Sequence, residues 1–275
     1  MPDRRLPDLT AAQVIALEDA LLANADKLLN SSIGILDRGD VGLARSLAIL
    51  AIEESGKAIA LHERRLQMAW EPEGAQFRCE WLDALWASHT KKLDQVHQFL
   101  EEEKYWFGEE PSEPARNLAL LGTLRAWSKR HDKQKQRGFY VDLDRIGNPL
   151  SPADVRDEEH LRDLISYVHQ IGWQLRLGEH IEGKAQAERE RAVPPASPSE
   201  LDWVALPGLN DQIGAKIRAS LLAGKAGEAL PNRAYSFISD PEADPFRNVG
   251  RAGYEAENRE LQRIARDIGQ EPLAD

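Results

Sequence analysis

Residues 44–62 read ARSLAILAIEESGKAIALH, and this stretch decides the fold class. Leu47, Ala51, Glu54, Ala58 and Leu61 recur at steps of three and four, so they share one face of a helix. That face carries two leucines, two alanines and a single carboxylate. A carboxylate turned toward a core is costly unless it is paired or hydrogen-bonded, so Glu54 calls for a partner on a neighbouring helix. Gly56 is a second irregularity, because glycine inside a helix costs about 1 kcal/mol relative to alanine; its presence predicts close approach of another backbone or a ligand. The plainer reading pairs Glu53 with Lys57 as an i,i+4 surface contact.

The same periodicity spreads outward. Thr10 is a natural N-cap for a helix carrying Val14, Leu17, Leu21, Ala25 and Leu28 to about Asn30, and the breaker DRGD at residues 37–40 precedes the central helix, with Asp40 able to cap it. The two form a helical hairpin of the kind that begins many bundles. Beyond EPEG at residues 71–74, Trp81, Leu82, Leu85, His89, Leu93, Val96 and Leu100 fall in register on a third helix, with His89 on its apolar stripe and Lys92 beside it. After an acidic loop over residues 101–114, a fourth helix starts near Leu118. Its second half holds Arg125, Lys129, Arg130, Lys133, Lys135 and Arg137 against Asp132 alone. FYVD at residues 139–142 reads as a short extended segment, and Ser151-Pro152 opens a long charged helix reaching about residue 192. His160, His169 and His180 lie along it too far apart to share a metal ion, and no metal or other cofactor is expected. The proline-rich PPASPS at residues 194–199 reads as a linker, followed by helices over roughly 211–223 and 250–268. The expectation is an all-α chain: a helical bundle over residues 8–192, a linker over 193–200 and a helical extension over 201–275.

Composition narrows the function. The 275 residues carry a net charge of −11, which argues against a surface built for general nucleic-acid or membrane binding, so any nucleic-acid site is local. A lone cysteine, Cys79, cannot form an internal disulfide and fits a reducing, cytoplasmic setting. No apolar run is long enough for a membrane span. The cation-rich half of the fourth helix is the local exception to the acidity. It reads either as a solvated face or as a phosphate-contacting patch.

Three pieces in order resemble the AbiV-type abortive infection family of HEPN-like helical domains: LARSLAILAIEESGKAIAL at residues 43–61, HTKKL at 89–93 and RGFYVD at 137–142. The resemblance spans about residues 10–190. It implies a HEPN-like bundle, a role in bacterial defence against phage by arrest of translation or growth, and a homodimer. Many HEPN relatives are metal-independent ribonucleases with an Arg-x4–6-His motif, which here corresponds to Arg125 and His131. Cleavage of RNA without a metal needs proton transfer and cations around the phosphate. Glu54, His89, Lys92, Arg125 and His131 are therefore the candidate catalytic residues, with Glu54, His89 and Lys92 meeting between helices. Lys57, Lys129, Arg130, Lys133, Arg137 and Tyr140 are the candidates for binding RNA, whether tRNA or mRNA. The competing reading is a non-catalytic factor that senses a phage protein or inhibits the translation machinery, with Glu54, His89 and Lys92 as a buried structural network.

Overall fold

A computed structural model describes residues 6–105, 113–197, 199, 201 and 211–237, and these are helical almost throughout. Helix α1 (Ala11–Leu36) begins at a capping box in which the Thr10 hydroxyl accepts from the Gln13 N–H while the Gln13 side chain accepts from Thr10. It runs past Asn30, since Ile33 to Leu36 complete its last turn. Helix α2 (Val41–Trp70) follows the four-residue turn, with Asp40 accepting from the Leu43 N–H. Ser32 donates to the Ala44 carbonyl and His62 lies 3.4 Å from Glu18, so the two helices run antiparallel.

Helix α2 is apolar nearly all round and is buried accordingly. Ala44, Ala48, Ile49, Ala51, Ile52, Ala58, Ile59, Ala60 and Leu61 have no exposed surface. The stripe holding Leu47, Leu50, Glu54 and Lys57 is its least buried side, so the face expected from spacing divides: Ala51, Ala58 and Leu61 are fully buried, whereas Leu47 and Glu54 lie on the partly exposed side. The deeper line runs Gly42, Ser46, Ile49, Glu53, Gly56, Ala60.

The third helix of the sequence reading is two. Helix α3 (Glu80–Trp86) stops at Ala87, and helix α4 (His89–Glu102) restarts with Ser88 as N-cap, its hydroxyl accepting from the Lys91 N–H. His89 thus opens a helix instead of sitting mid-stripe. The fourth helix also divides: α5 (Pro114–Leu121) ends at Gly122, whose φ of 79° is in the left-handed region, and α6 (Leu124–Phe139) follows. Strands β1 (Asp142–Leu143) and β2 (Pro149–Leu150) form a two-residue antiparallel ladder. Ser151 caps a 3₁₀ turn (Pro152–Asp154) in place of the long helix, and α7 (Glu158–Glu190) is capped by Asp157 through the His160 N–H. Helix α8 (Asp211–Leu222) lies where the sequence placed it, whereas the helix expected over 250–268 falls outside the described residues.

Two compact units emerge. The first holds residues up to 64 and 76–177, and α4 crosses α2 within it at the glycine the sequence marked: a Cβ on Gly56 would overlap the Lys92 carbonyl oxygen and lie 3.2 Å from Val96 Cγ2. The end of α6 meets the start of α2 just as closely, where Ser46 donates to the Lys135 carbonyl at 2.8 Å. The second unit takes residues 65–75 and 178–244. There the Arg65 guanidinium donates to the Ser236 carbonyl and packs 4.0 Å over the Phe237 ring, and Gln186 accepts from the Phe237 N–H. The proline-rich segment is held by its backbone, Val193 donating to Gly224 and Ala196 to Leu221.

Candidate active site

The carboxylate that finds partners is Glu53, one residue from the expected Glu54. Its side chain is 4% exposed, and its two oxygens are divided between a lysine and a histidine. Oε1 accepts from Lys135 Nζ of α6 at 2.5 Å, and Oε2 meets His89 Nδ1 of α4 at 2.6 Å. Lys135 is 5% exposed, so its ammonium depends on Glu53, with Asp132 3.8 Å away as a second, exposed partner. The His89 side chain is 57% exposed. A buried carboxylate therefore fixes an imidazole by its inner nitrogen and leaves the other edge of the ring toward solvent.

Glu54 instead pairs with Lys57 on the least buried side of α2, and Lys57 also lies 5.5 Å over the Trp86 ring. The trio of Glu54, His89 and Lys92 does not form; the physical reason is the all-round apolarity of α2, which makes either of two adjacent glutamates look inward. Lys92 is buried close to the cluster. Burial draws its ammonium below the usual lysine range, and Lys57 acts in the same sense, while Glu53 and Glu54 oppose both.

One residue beyond His89, Thr90 lines an open pocket of about 350 Å³ together with Asp94, Arg125, Ser128, Lys129 and Asp132. Ser128 donates to Asp94 across its wall. Asp132 joins this pocket to the cluster through Lys135. Arg125 and Lys129 are exposed there, and Lys129 also lines, with Arg130, Lys133 and Arg137, a shallow groove along α6. Arg137 lies at the other end of α6, and Tyr140 is 64% exposed beside Phe139 before the hairpin. Lys129, Arg130, Lys133 and Arg137 thus share one groove, while Arg125 faces the neighbouring pocket and Lys135 is buried.

His131 is inside. It has no exposed surface, packs 4.0 Å from the Trp127 ring and 5.4 Å from His160, and its Nδ1–H donates to the Trp127 carbonyl at 2.7 Å. Burial pushes its pKa down to about 3, so the ring is neutral at physiological pH and out of reach of a polymer. Arg125 and His131 therefore do not meet as an exposed pair. The depressed pKa has a consequence for stability. Unfolded, this histidine binds a proton below about pH 6.5, whereas folded it stays neutral down to about 3, so stability falls as pH drops through that window. Relative to His131→Phe, the native chain is expected to lose about 2 kcal/mol more between pH 7 and pH 5, measured by urea unfolding at each pH.

Among the described residues no group of three or more His, Cys, Asp or Glu side chains is placed to hold a metal ion, and no helix is long and apolar enough to cross a membrane. A family model described as AbiV, HEPN, matches residues 13–173, more than half of the chain. The chain belongs to the AbiV HEPN family. Its family role is abortive infection, a bacterial defence against phage. The matched span covers Glu53, His89, Lys92 and Lys135, so the cluster lies inside the AbiV domain, and it ends before the last turns of α7. Neither a curated protein nor a solved structure matches.

The sequence reading missed Glu53 and Lys135, and both left a signal. Gly42, Ser46 and Gly56 are small residues at helical spacing, which marks the line along which other helices approach, and Glu53 falls on that line. Lys135 follows Trp127 and His131 at steps of four, so it is the one cation of the basic helix on the buried face.

Proposed function

We propose that this AbiV-family chain is an abortive-infection effector that cleaves RNA without a metal ion, with His89 as its catalytic residue and Glu53 as the residue that positions it. The observation that supports this reading is the exposed imidazole held by a buried carboxylate, one residue before Thr90, which lines a pocket that also holds Arg125 and Lys129. Imidazole is the side chain suited to moving protons near neutral pH, and a carboxylate on Nδ1 fixes the tautomer and aims Nε2 outward. In this reading the ribose 2′-hydroxyl gives its proton to His89 Nε2 as its oxygen bonds to phosphorus. The bond from phosphorus to the 5′-oxygen breaks, and the imidazolium returns the proton to that leaving oxygen. Arg125 and Lys129 receive the phosphate charge at the neighbouring pocket. The substrate is cytoplasmic RNA, and infection supplies the trigger.

The products carry the test. Incubation of the full chain with total RNA and with tRNA in EDTA, with and without infected-cell lysate, is expected to give fragments ending in 2′,3′-cyclic phosphate and beginning in 5′-hydroxyl. Arg125→Gln and Lys129→Gln are each expected to weaken cleavage several-fold, with a shallower salt dependence. Intact RNA under all four conditions would overturn the reading in favour of a protein-binding role.

A further inference from the structure

A second pocket, of about 320 Å³, opens where the start of α2, the end of α6 and the 3₁₀ turn meet. Arg45, Arg137 and Arg156 line it, with Gln134, Ser151 and the apolar Leu150 beside them. Arg45 is the unusual member. Its side chain is 5% exposed, and its Nε has no hydrogen-bond partner. Its closest carboxylate, Asp157, is 3.9 Å from one terminal nitrogen and is itself half-exposed. A buried guanidinium left with one loose ion pair is expensive. Burial draws Arg45 below the usual arginine range and the like charge of Arg137 adds to this, while Asp157 opposes both.

The acidic neighbours are already occupied. Asp154 accepts from the Ser151 N–H in the 3₁₀ capping box, and the other oxygen of Asp157 caps α7. Arg156 Nη1 donates to the Ala153 and Val155 carbonyls, so the unsatisfied donor of the pocket is the buried Nε of Arg45. Guanidinium groups match phosphate oxygens in a planar, bidentate geometry. The volume exceeds that of a bare phosphate and reaches the lower range of small-molecule sites, and Leu150 and Val155 supply an apolar wall.

We infer that this pocket binds a phosphate monoester of nucleotide size, with Arg45, Arg137 and Arg156 on the phosphate. The pocket is separate from His89 and does not depend on RNA cleavage. It adjoins the Glu53 cluster through the α2–α6 crossing, since Arg45 precedes Ser46, whose hydroxyl bonds the Lys135 carbonyl. The assignment moves Arg137 from a general RNA track to a defined site.

Calorimetric titration of the full chain with 5′-GMP, 5′-AMP, guanosine and inorganic phosphate tests the inference. Saturable binding of a mononucleotide, weaker binding of inorganic phosphate and none of guanosine are expected. Arg137→Gln and Arg156→Gln, both at exposed positions, should each weaken mononucleotide binding about tenfold or more. Asp157→Asn keeps a capping side chain and releases Arg45, so it should tighten binding. An RNA oligonucleotide with and without a 5′-phosphate separates the two sources of the same chemistry: preference for the phosphorylated end is expected. The inference is overturned if neither mononucleotide binds, if the arginine variants bind as the native chain does, or if only the oligonucleotide binds, regardless of its end.

Discussion

Glu53→Ala is expected to destabilise the chain by about 3–5 kcal/mol, the range for breaking a buried ion pair by removing one partner. The substitution leaves Lys135 with its ammonium 5% exposed and only Asp132, 3.8 Å away, to oppose it. His89 also loses its anchor, but it is half-exposed and water can replace the carboxylate there. The cost therefore arises on the lysine side. A double variant, Glu53→Ala with Lys135→Met, should regain most of the loss, because replacing both partners by apolar groups is far less costly than orphaning one. Urea unfolding of the two variants and of Lys135→Met alone closes the cycle. A double variant no more stable than Glu53→Ala would mean that the pair is not the source of the loss.

Gly138→Ala is expected to cost about 3 kcal/mol, the upper part of the range for overpacking. A methyl group there would overlap the Ser46 hydroxyl and the Gly42 carbonyl oxygen, and one of these belongs to a helix backbone that cannot rotate away. Ser46 would be forced off the Lys135 carbonyl, loosening the α6 residue that reaches Glu53. Gly34 gives the contrast. It lies inside α1, and a Cβ added there would have nothing within 4 Å, so Gly34→Ala should be neutral or add up to about 1 kcal/mol from helix propensity. Equal effects at the two glycines would show that propensity, and not contact at the crossing, governs Gly138.

The fold was largely legible because helical period, caps and breakers act locally. Thr10, Asp40 and the DRGD turn specify the α1–α2 hairpin without reference to the rest of the chain, and Gly56 announces the close crossing with α4. What the local pattern does not resolve is which of two adjacent glutamates points inward, and where the helices break. A hydrophobic stripe identifies an inward face only when the opposite face is polar, and α2 has no polar face over most of its length. Two adjacent glutamates were then indistinguishable by period, although the small-residue line through Gly42, Ser46 and Gly56 runs through Glu53. Continuity failed at Ser88 and Gly122, where a single cap or a left-handed glycine interrupts a period that survives across the break. His131 was misplaced because a histidine among five exposed cations reads as one of them, while its step of four from Trp127 puts it in the core.

If the exposed histidine held by a buried glutamate is the reactive group, RNA cleavage must depend on it. Cleavage by the native chain and by His89→Ala is compared in EDTA with infected-cell lysate present, alongside urea unfolding of both. His89→Ala is expected to lose cleavage by about 10²–10⁴-fold while its stability stays within about 1 kcal/mol of the native value, since the lost side chain is mostly solvated. Cleavage by His89→Ala at the native rate would contradict that role.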